Sequence, residues 1–107
     1  MSRFNTPVSI ETVAASKIDQ VDFSNLAFGN IFSDHMLVCD FKNGAWEMPK
    51  IMPYQNISIS PSARVFHYGQ AIFEGMKAYK DLEGAAWLFR PEENFKRFNT
   101  SKKIFID

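Results

Sequence analysis

The dipeptide Asn43-Gly44 constrains this chain more than any other local feature. Both residues tolerate the positive φ that a type I′ turn demands, so the flanking runs are predicted to pair as a hairpin. HMLVCDF (35–41) leads into the turn and alternates as a strand does. Met36, Val38 and Asp40 share one face, and Leu37, Cys39 and Phe41 the other. AWEM (45–48) is the returning strand. A second hairpin is predicted where MKAYK and AAWLF flank Asp81-Leu82-Glu83-Gly84, read as a four-residue loop. Between the hairpins, Pro49 and Pro53 punctuate a connection and QNISIS (55–60) offers another short strand. Residues 1–30 carry Ile18, Val21, Phe23, Leu26 and Phe28 without a sustained period, and yield no element.

Two segments read as helices. Ser60-Pro61 supplies a capping residue followed by proline at the first helical position, and Gly75 stands beyond as a stop. Val65, Gly69, Ile72 and Met76 then form a stripe widened by Phe66 and Phe73, opposite Ala63, His67, Gln70 and Glu74. Pro91 opens the second helix, where Glu92-Glu93 suit the positive end of the helix dipole. Phe95, Phe98 and Phe105 make its apolar side; Asn94, Arg97 and Ser101 share a polar one. Hairpins and helices in this order predict an α+β fold, a mostly antiparallel sheet with two helices on one face. The 107 residues fit one small domain or part of a larger one. Asp107 follows directly on an apolar stretch, from which part of a longer domain is expected.

Charge and composition exclude several classes of function. Twelve basic and twelve acidic residues leave no net pull toward nucleic acid. Lys96, Arg97, Lys102 and Lys103 cluster, which a solvated helix face explains; a phosphate site is the sharper reading. No apolar run approaches the ~18–20 residues that span a bilayer, and MSRFNTPVSIETV lacks a signal-peptide core, so no membrane role and a cytoplasmic location are expected. Cys39, the one cysteine, lies in an apolar strand and reads as a core residue in a reducing compartment rather than a nucleophile. His35 and His67 are not spaced as metal ligands. The aromatic residues follow the predicted faces, as core or pocket lining rather than a base-stacking platform.

Spacing alone therefore yields a domain without visible reaction chemistry. Three runs add more: FGNIFSDHMLVCDF, HYGQAIFEGMKAYK and LFRPEENFKRF. Together with PYQNISISP they resemble the N-terminal part of a branched-chain amino acid aminotransferase, a fold-type IV enzyme that uses pyridoxal 5′-phosphate. The resemblance covers most of residues 26–101 and implies that residues 1–107 are an N-terminal fragment of the small domain, with the large domain absent. It implies transfer of an amino group between leucine, isoleucine or valine and 2-oxoglutarate, in a homodimer or other self-association. A D-amino acid aminotransferase or an aminodeoxychorismate lyase is the alternative within the fold type. A non-catalytic remnant or interaction module is the alternative outside it.

Site residues follow from the same resemblance. Arg97 in ENFKRF matches the arginine that binds the cofactor phosphate, a task that suits a permanently charged, bidentate guanidinium. Phe28, Tyr68 and Phe73 match positions lining the apolar substrate pocket, and Lys77 matches a basic position near the active site. No catalytic residue is implied here, because the lysine that would carry the cofactor belongs to the large domain. After Ser101 the family pattern continues toward a basic residue and a proline, whereas this chain reads Lys102-Lys103-Ile104-Phe105-Ile106-Asp107.

Overall fold

The computed structural model of the chain describes residues 6–105, and of Phe105 the backbone alone. The chain divides between Ile57 and Ser58 into two compact units.

The first unit holds β1 (Ser9–Ile10), a 3₁₀ turn (Ile18–Gln20), β2 (His35–Val38), β3 (Phe41–Lys42), β4 (Ala45–Trp46) and β5 (Lys50–Pro53). Its sheet has the order β1-β5-β2. β5 runs antiparallel to β2, pairing His35 with Pro53 and Val38 with Lys50, and parallel to β1, pairing Ser9 with Lys50. Ile51, Met52 and Pro53 are half-buried in the middle of this sheet, as are Met36 and Val38 across from them.

The central strand is a correction to the sequence reading. The stretch between Pro49 and Pro53 was expected to be a connection and QNISIS a strand, yet Lys50–Pro53 is the strand and residues 55–60 are irregular. The prolines do not block the ladder because they sit at its two ends. The Pro49 carbonyl accepts from Ser9 N at 2.9 Å, and beyond Pro53 the ladder continues through Tyr54 N to Asp34 O at 2.8 Å. Alternation in QNISIS finds no partner strand among the described residues, and Ile57 and Ile59 stay exposed.

The Asn43-Gly44 hairpin forms as expected. Asn43 has φ 54° and Gly44 φ 78°, and Phe41 pairs with Trp46 with ring centroids 5.1 Å apart at 70°. The predicted strand 35–41 is interrupted at Cys39-Asp40, where Glu47 N donates to Asp40 O at 2.8 Å and Cys39 Sγ to Glu47 O at 3.3 Å. Cys39 is half-buried rather than a core residue.

The unassigned N-terminal stretch is tied down by polar contacts, which apolar periodicity does not reveal. Val13 N donates to His35 Nε2 at 3.0 Å, and Asp34 accepts from Ser16 Oγ at 2.5 Å and Lys17 N at 3.1 Å. The Ser16 hydroxyl, then the Lys17 amide, hold the Asp34 carboxyl below its usual range.

The second unit holds α1 (Arg64–Tyr68), β6 (Ala78–Lys80), β7 (Ala86–Leu88) and α2 (Pro91–Phe105). The first helix is far shorter than the span from Pro61 to Gly75 that the sequence suggests. Ser60-Pro61 makes a turn closed by Ala63 N on Ser60 O at 3.0 Å, and Gly69 ends the helix at φ 61°. The amides of Gly69 and Gln70 both reach the Arg64 carbonyl, a C-terminal closure that needs a left-handed residue. Val65, Phe66, Phe73 and Met76 remain exposed, so no packing extends the helix past Gly69.

β6 and β7 pair antiparallel, Tyr79 opposite Trp87, around a loop one residue longer than predicted. Asp81 organises that loop: Oδ1 accepts from Glu83 N and Ala85 N, both at 2.9 Å, and Oδ2 accepts from Trp87 Nε1 at 2.8 Å. The indole donor first, then the Ala85 amide, hold its carboxyl below the usual carboxylate range. α2 starts at Pro91 as the sequence predicts.

The α+β class and the two helices hold, with mostly antiparallel pairing and β1 on β5 as the parallel exception. Among the described residues no side chain is buried.

Candidate functional site

The second unit contains a polar cluster built by α2 and the irregular stretch that follows α1. Asn94 and Arg97 are three residues apart and so project from one face of α2. Glu74 lies between α1 and β6, a segment freed from helical geometry by the stop at Gly69. Its carboxylate is largely covered, with 11% of the side chain exposed, whereas Arg97 is 68% exposed.

Four donors converge on Glu74. Arg97 Nε donates to Oε2 at 2.7 Å and Nη2 donates to Oε1. Asn94 Nδ2 donates to Oε1 at 3.1 Å, and Gly75 N to the same oxygen at 3.2 Å. Asn94 Nδ2 also reaches the Gly75 carbonyl at 2.7 Å, which fixes the backbone beside the carboxylate. The Arg97 hydrogen bonds, followed by that from Asn94, push the Glu74 carboxyl from its ordinary 4.5 down to about 2; partial covering opposes them. The same contact raises the Arg97 guanidinium further above an already high value.

This geometry leaves Arg97 with a usable edge. A guanidinium carries five N–H groups in a planar fork with two bidentate edges. Glu74 occupies the edge formed by Nε and Nη2. The adjoining edge, formed by Nη1 and the second N–H of Nη2, is suited to a second oxyanion such as phosphate.

The other expected site residues are placed as follows. Tyr68 ends α1 and Phe73 precedes Glu74, both strongly exposed, and Lys77 is exposed just before β6. Phe28 belongs to the first unit, fully exposed beside Gly29 at φ 77°. Sequence reasoning missed Glu74 and Asn94 as partners of Arg97. Glu74 is the one carboxylate between Glu47 and Asp81, an acid isolated in an apolar run, and that was the available signal. The first unit has a cleft of about 670 Å³ lined by Val21, Phe23, Leu26, Ile31 and Phe32 among others; none of the expected site residues lines it. Among the described residues no three or more metal-ligating side chains cluster, and no helix is long and apolar enough to cross a membrane.

No family model matches the chain. Individual relatives do. Branched-chain-amino-acid transaminase 1 of Bacillus subtilis is 49% identical over 84 residues, which is 78% of this chain and 24% of that protein. The branched-chain-amino-acid aminotransferase of Dictyostelium discoideum is 52% identical over 87 residues, 79% of this chain and 23% of its own length. The cytosolic branched-chain-amino-acid aminotransferase of Saccharomyces cerevisiae is 49% identical over 79 residues, 73% and 21% respectively. The chain thus spans about a quarter of the length of the curated relatives it matches. Over most of its own length, this chain is a homologue of the N-terminal part of the branched-chain amino acid aminotransferases.

Proposed function

We propose that the protein carrying this sequence is a branched-chain amino acid aminotransferase with pyridoxal 5′-phosphate as cofactor. It exchanges an amino group between leucine, isoleucine or valine and 2-oxoglutarate. The observation that carries this reading is 49–52% identity to three such enzymes over more than 70% of the chain.

The donor set of the second unit fits a phosphate ester. Arg97 keeps one bidentate edge beyond Glu74, on an exposed side chain that a phosphate can approach. In this reading Arg97 anchors the cofactor phosphate and Lys77 adds positive charge near the reacting centre. Phe28, Tyr68 and Phe73 each offer apolar surface to a substrate side chain that has only shape and apolar area to recognise. When bound, the cofactor supplies an aldehyde that takes up amino groups and a ring that withdraws electrons from Cα. What these residues contribute is binding and orientation.

A homodimer in the cytoplasm is part of the same proposal. It is supported by the name of the yeast relative, a cytosolic enzyme, and by the exposed apolar surface of this chain.

The test is turnover by the whole protein. Glutamate should form from 2-oxoglutarate with leucine, isoleucine and valine. Turnover confined to D-alanine, or pyruvate release from aminodeoxychorismate, would reassign the enzyme within its fold type. No turnover of any of these would remove the enzyme reading.

A further inference from the structure

We propose that Glu74 is a positioning residue that holds the Arg97 guanidinium side-on, so that its outer edge faces the phosphate group of the cofactor. This inference rests on the phosphate role of Arg97 and adds the group that sets its orientation.

Three observations carry it. Glu74 takes both N–H groups of one guanidinium edge, Nε at 2.7 Å and Nη2, and a planar fork gripped at two points cannot rotate about its long side chain. Glu74 is itself fixed: Asn94 Nδ2 at 3.1 Å and Gly75 N at 3.2 Å bond the same carboxylate, and its side chain is only 11% exposed. Arg97 is otherwise open, at 68% exposure, and among the described residues no other side chain bonds its guanidinium. An unrestrained arginine would lose side-chain entropy on meeting phosphate, whereas one already held loses less.

Glu74 also carries negative charge and could oppose a phosphate. The two oxyanions take adjoining edges of the guanidinium that share Nη2, and each is bound by its own pair of N–H groups. The sign of the net effect is what the experiment reads.

The whole protein is prepared in its native form and as Glu74→Gln, Arg97→Ala, the double variant, Asn94→Ala and Arg64→Ala. Dissociation constants are measured for pyridoxal 5′-phosphate and for pyridoxal. Their ratio isolates the phosphate contribution, and a merely structural defect, which weakens both ligands alike, leaves the ratio unmoved. Arg97→Ala should reduce the ratio about ten- to a hundred-fold. Glu74→Gln should reduce it roughly three- to thirty-fold, as for groups sharing one hydrogen-bond network. The double variant should fall no further than Arg97→Ala alone. Asn94→Ala, a milder change that leaves the carboxylate in place, should act in the same direction with smaller size. Arg64→Ala should not alter the ratio.

The outcomes separate the two readings. If Arg97→Ala leaves the ratio unchanged, the phosphate role of Arg97 fails and this inference falls with it. If Arg97→Ala lowers the ratio but Glu74→Gln leaves it unchanged or raises it, only the positioning role is overturned. Additive losses in the double variant would also overturn it, because Glu74 would then act independently of Arg97. Should Glu74→Gln not fold, an unchanged ratio in Asn94→Ala overturns the proposal in its place.

Discussion

Glu74 and Arg97 meet side-on from positions 23 residues apart, with Nε 2.7 Å from Oε2 and Nη2 donating to Oε1. The pair joins α2 to the irregular segment ahead of β6, two parts of the second unit that share no strand pairing. An exposed ion pair of ordinary geometry stabilises little. This one differs because the carboxylate is largely covered and takes two further donors, so loss of the arginine would leave a covered charge with half its bonds.

Acid should dissolve this contact late. The Glu74 carboxyl lies at about 2 rather than its ordinary 4.5, first because of the Arg97 hydrogen bonds. A depressed carboxylate contributes stability that is complete above about 4.5 and disappears as pH falls through about 2. A carbon-detected titration of the labelled glutamate side chains should therefore give Glu74 a midpoint near 2. Asn94→Ala should raise that midpoint part of the way back. A native midpoint near 4.5 would mean that the pair does not form in solution.

What was legible in the sequence was what local chemistry decides. Asn43-Gly44 forced a hairpin because both residues accept positive φ, and Pro91 with Glu92-Glu93 marked the start of α2 because capping is a one-turn affair. Non-local relations were not legible. Pairing of Ser9 with Lys50 depends on a carbonyl at Pro49 and on contacts between Asp34 and residues 16–17, none of which has a periodic signature. The cluster around Arg97 was half visible. Its helix face was read as polar, but Glu74 was placed on the far side of a helix that stops at Gly69.

That misplacement is testable through two glycines. Gly69 sits at φ 61° and Gly75 does not have positive φ, and a Cβ at either meets nothing within 4 Å. Gly69→Ala should then destabilise by about 1–2 kcal/mol, the cost of left-handed backbone for an L-residue. Gly75→Ala should be neutral or stabilise by up to about 1 kcal/mol, by restricting the unfolded chain. Urea unfolding followed by circular dichroism, with unchanged slope, reads both. Had the helix continued through Gly69, its alanine variant would instead stabilise by about 1 kcal/mol.

A third expectation concerns chemistry. The 107-residue polypeptide, tested by itself, should not turn over leucine and 2-oxoglutarate with added cofactor. Its basic groups include Arg97 and Lys77, but the resemblance matches none of its lysines to the one that carries the cofactor. The comparison is with the cofactor-only blank, since free pyridoxal phosphate transaminates slowly unaided. Sustained turnover above that blank would assign the carrier lysine to this sequence.

The apolar surface sets the last expectation, self-association of the 107-residue polypeptide. Phe28 is 105% exposed, Phe73 88%, Phe66 59% and Phe98 38%, and no described side chain is buried; Phe105, expected to join them, has its side chain outside the described residues. Monomeric soluble proteins seldom leave so much large apolar surface in water, since each fully buried side chain of this kind gains about 1.5–3 kcal/mol. A domain of this size has a margin of only about 5–15 kcal/mol, so covering a few phenylalanines changes the balance. The edges of the three-stranded sheet, β1 and β2, add unpaired backbone groups that a second copy can meet. Static light scattering over a dilution series should show an apparent mass that rises with concentration. Dilution should also lower the thermal midpoint, because association stabilises by mass action. A monodisperse monomer with a cooperative, concentration-independent melt would show that these residues cover their own apolar faces in solution, and the exposed phenylalanines would then need another explanation.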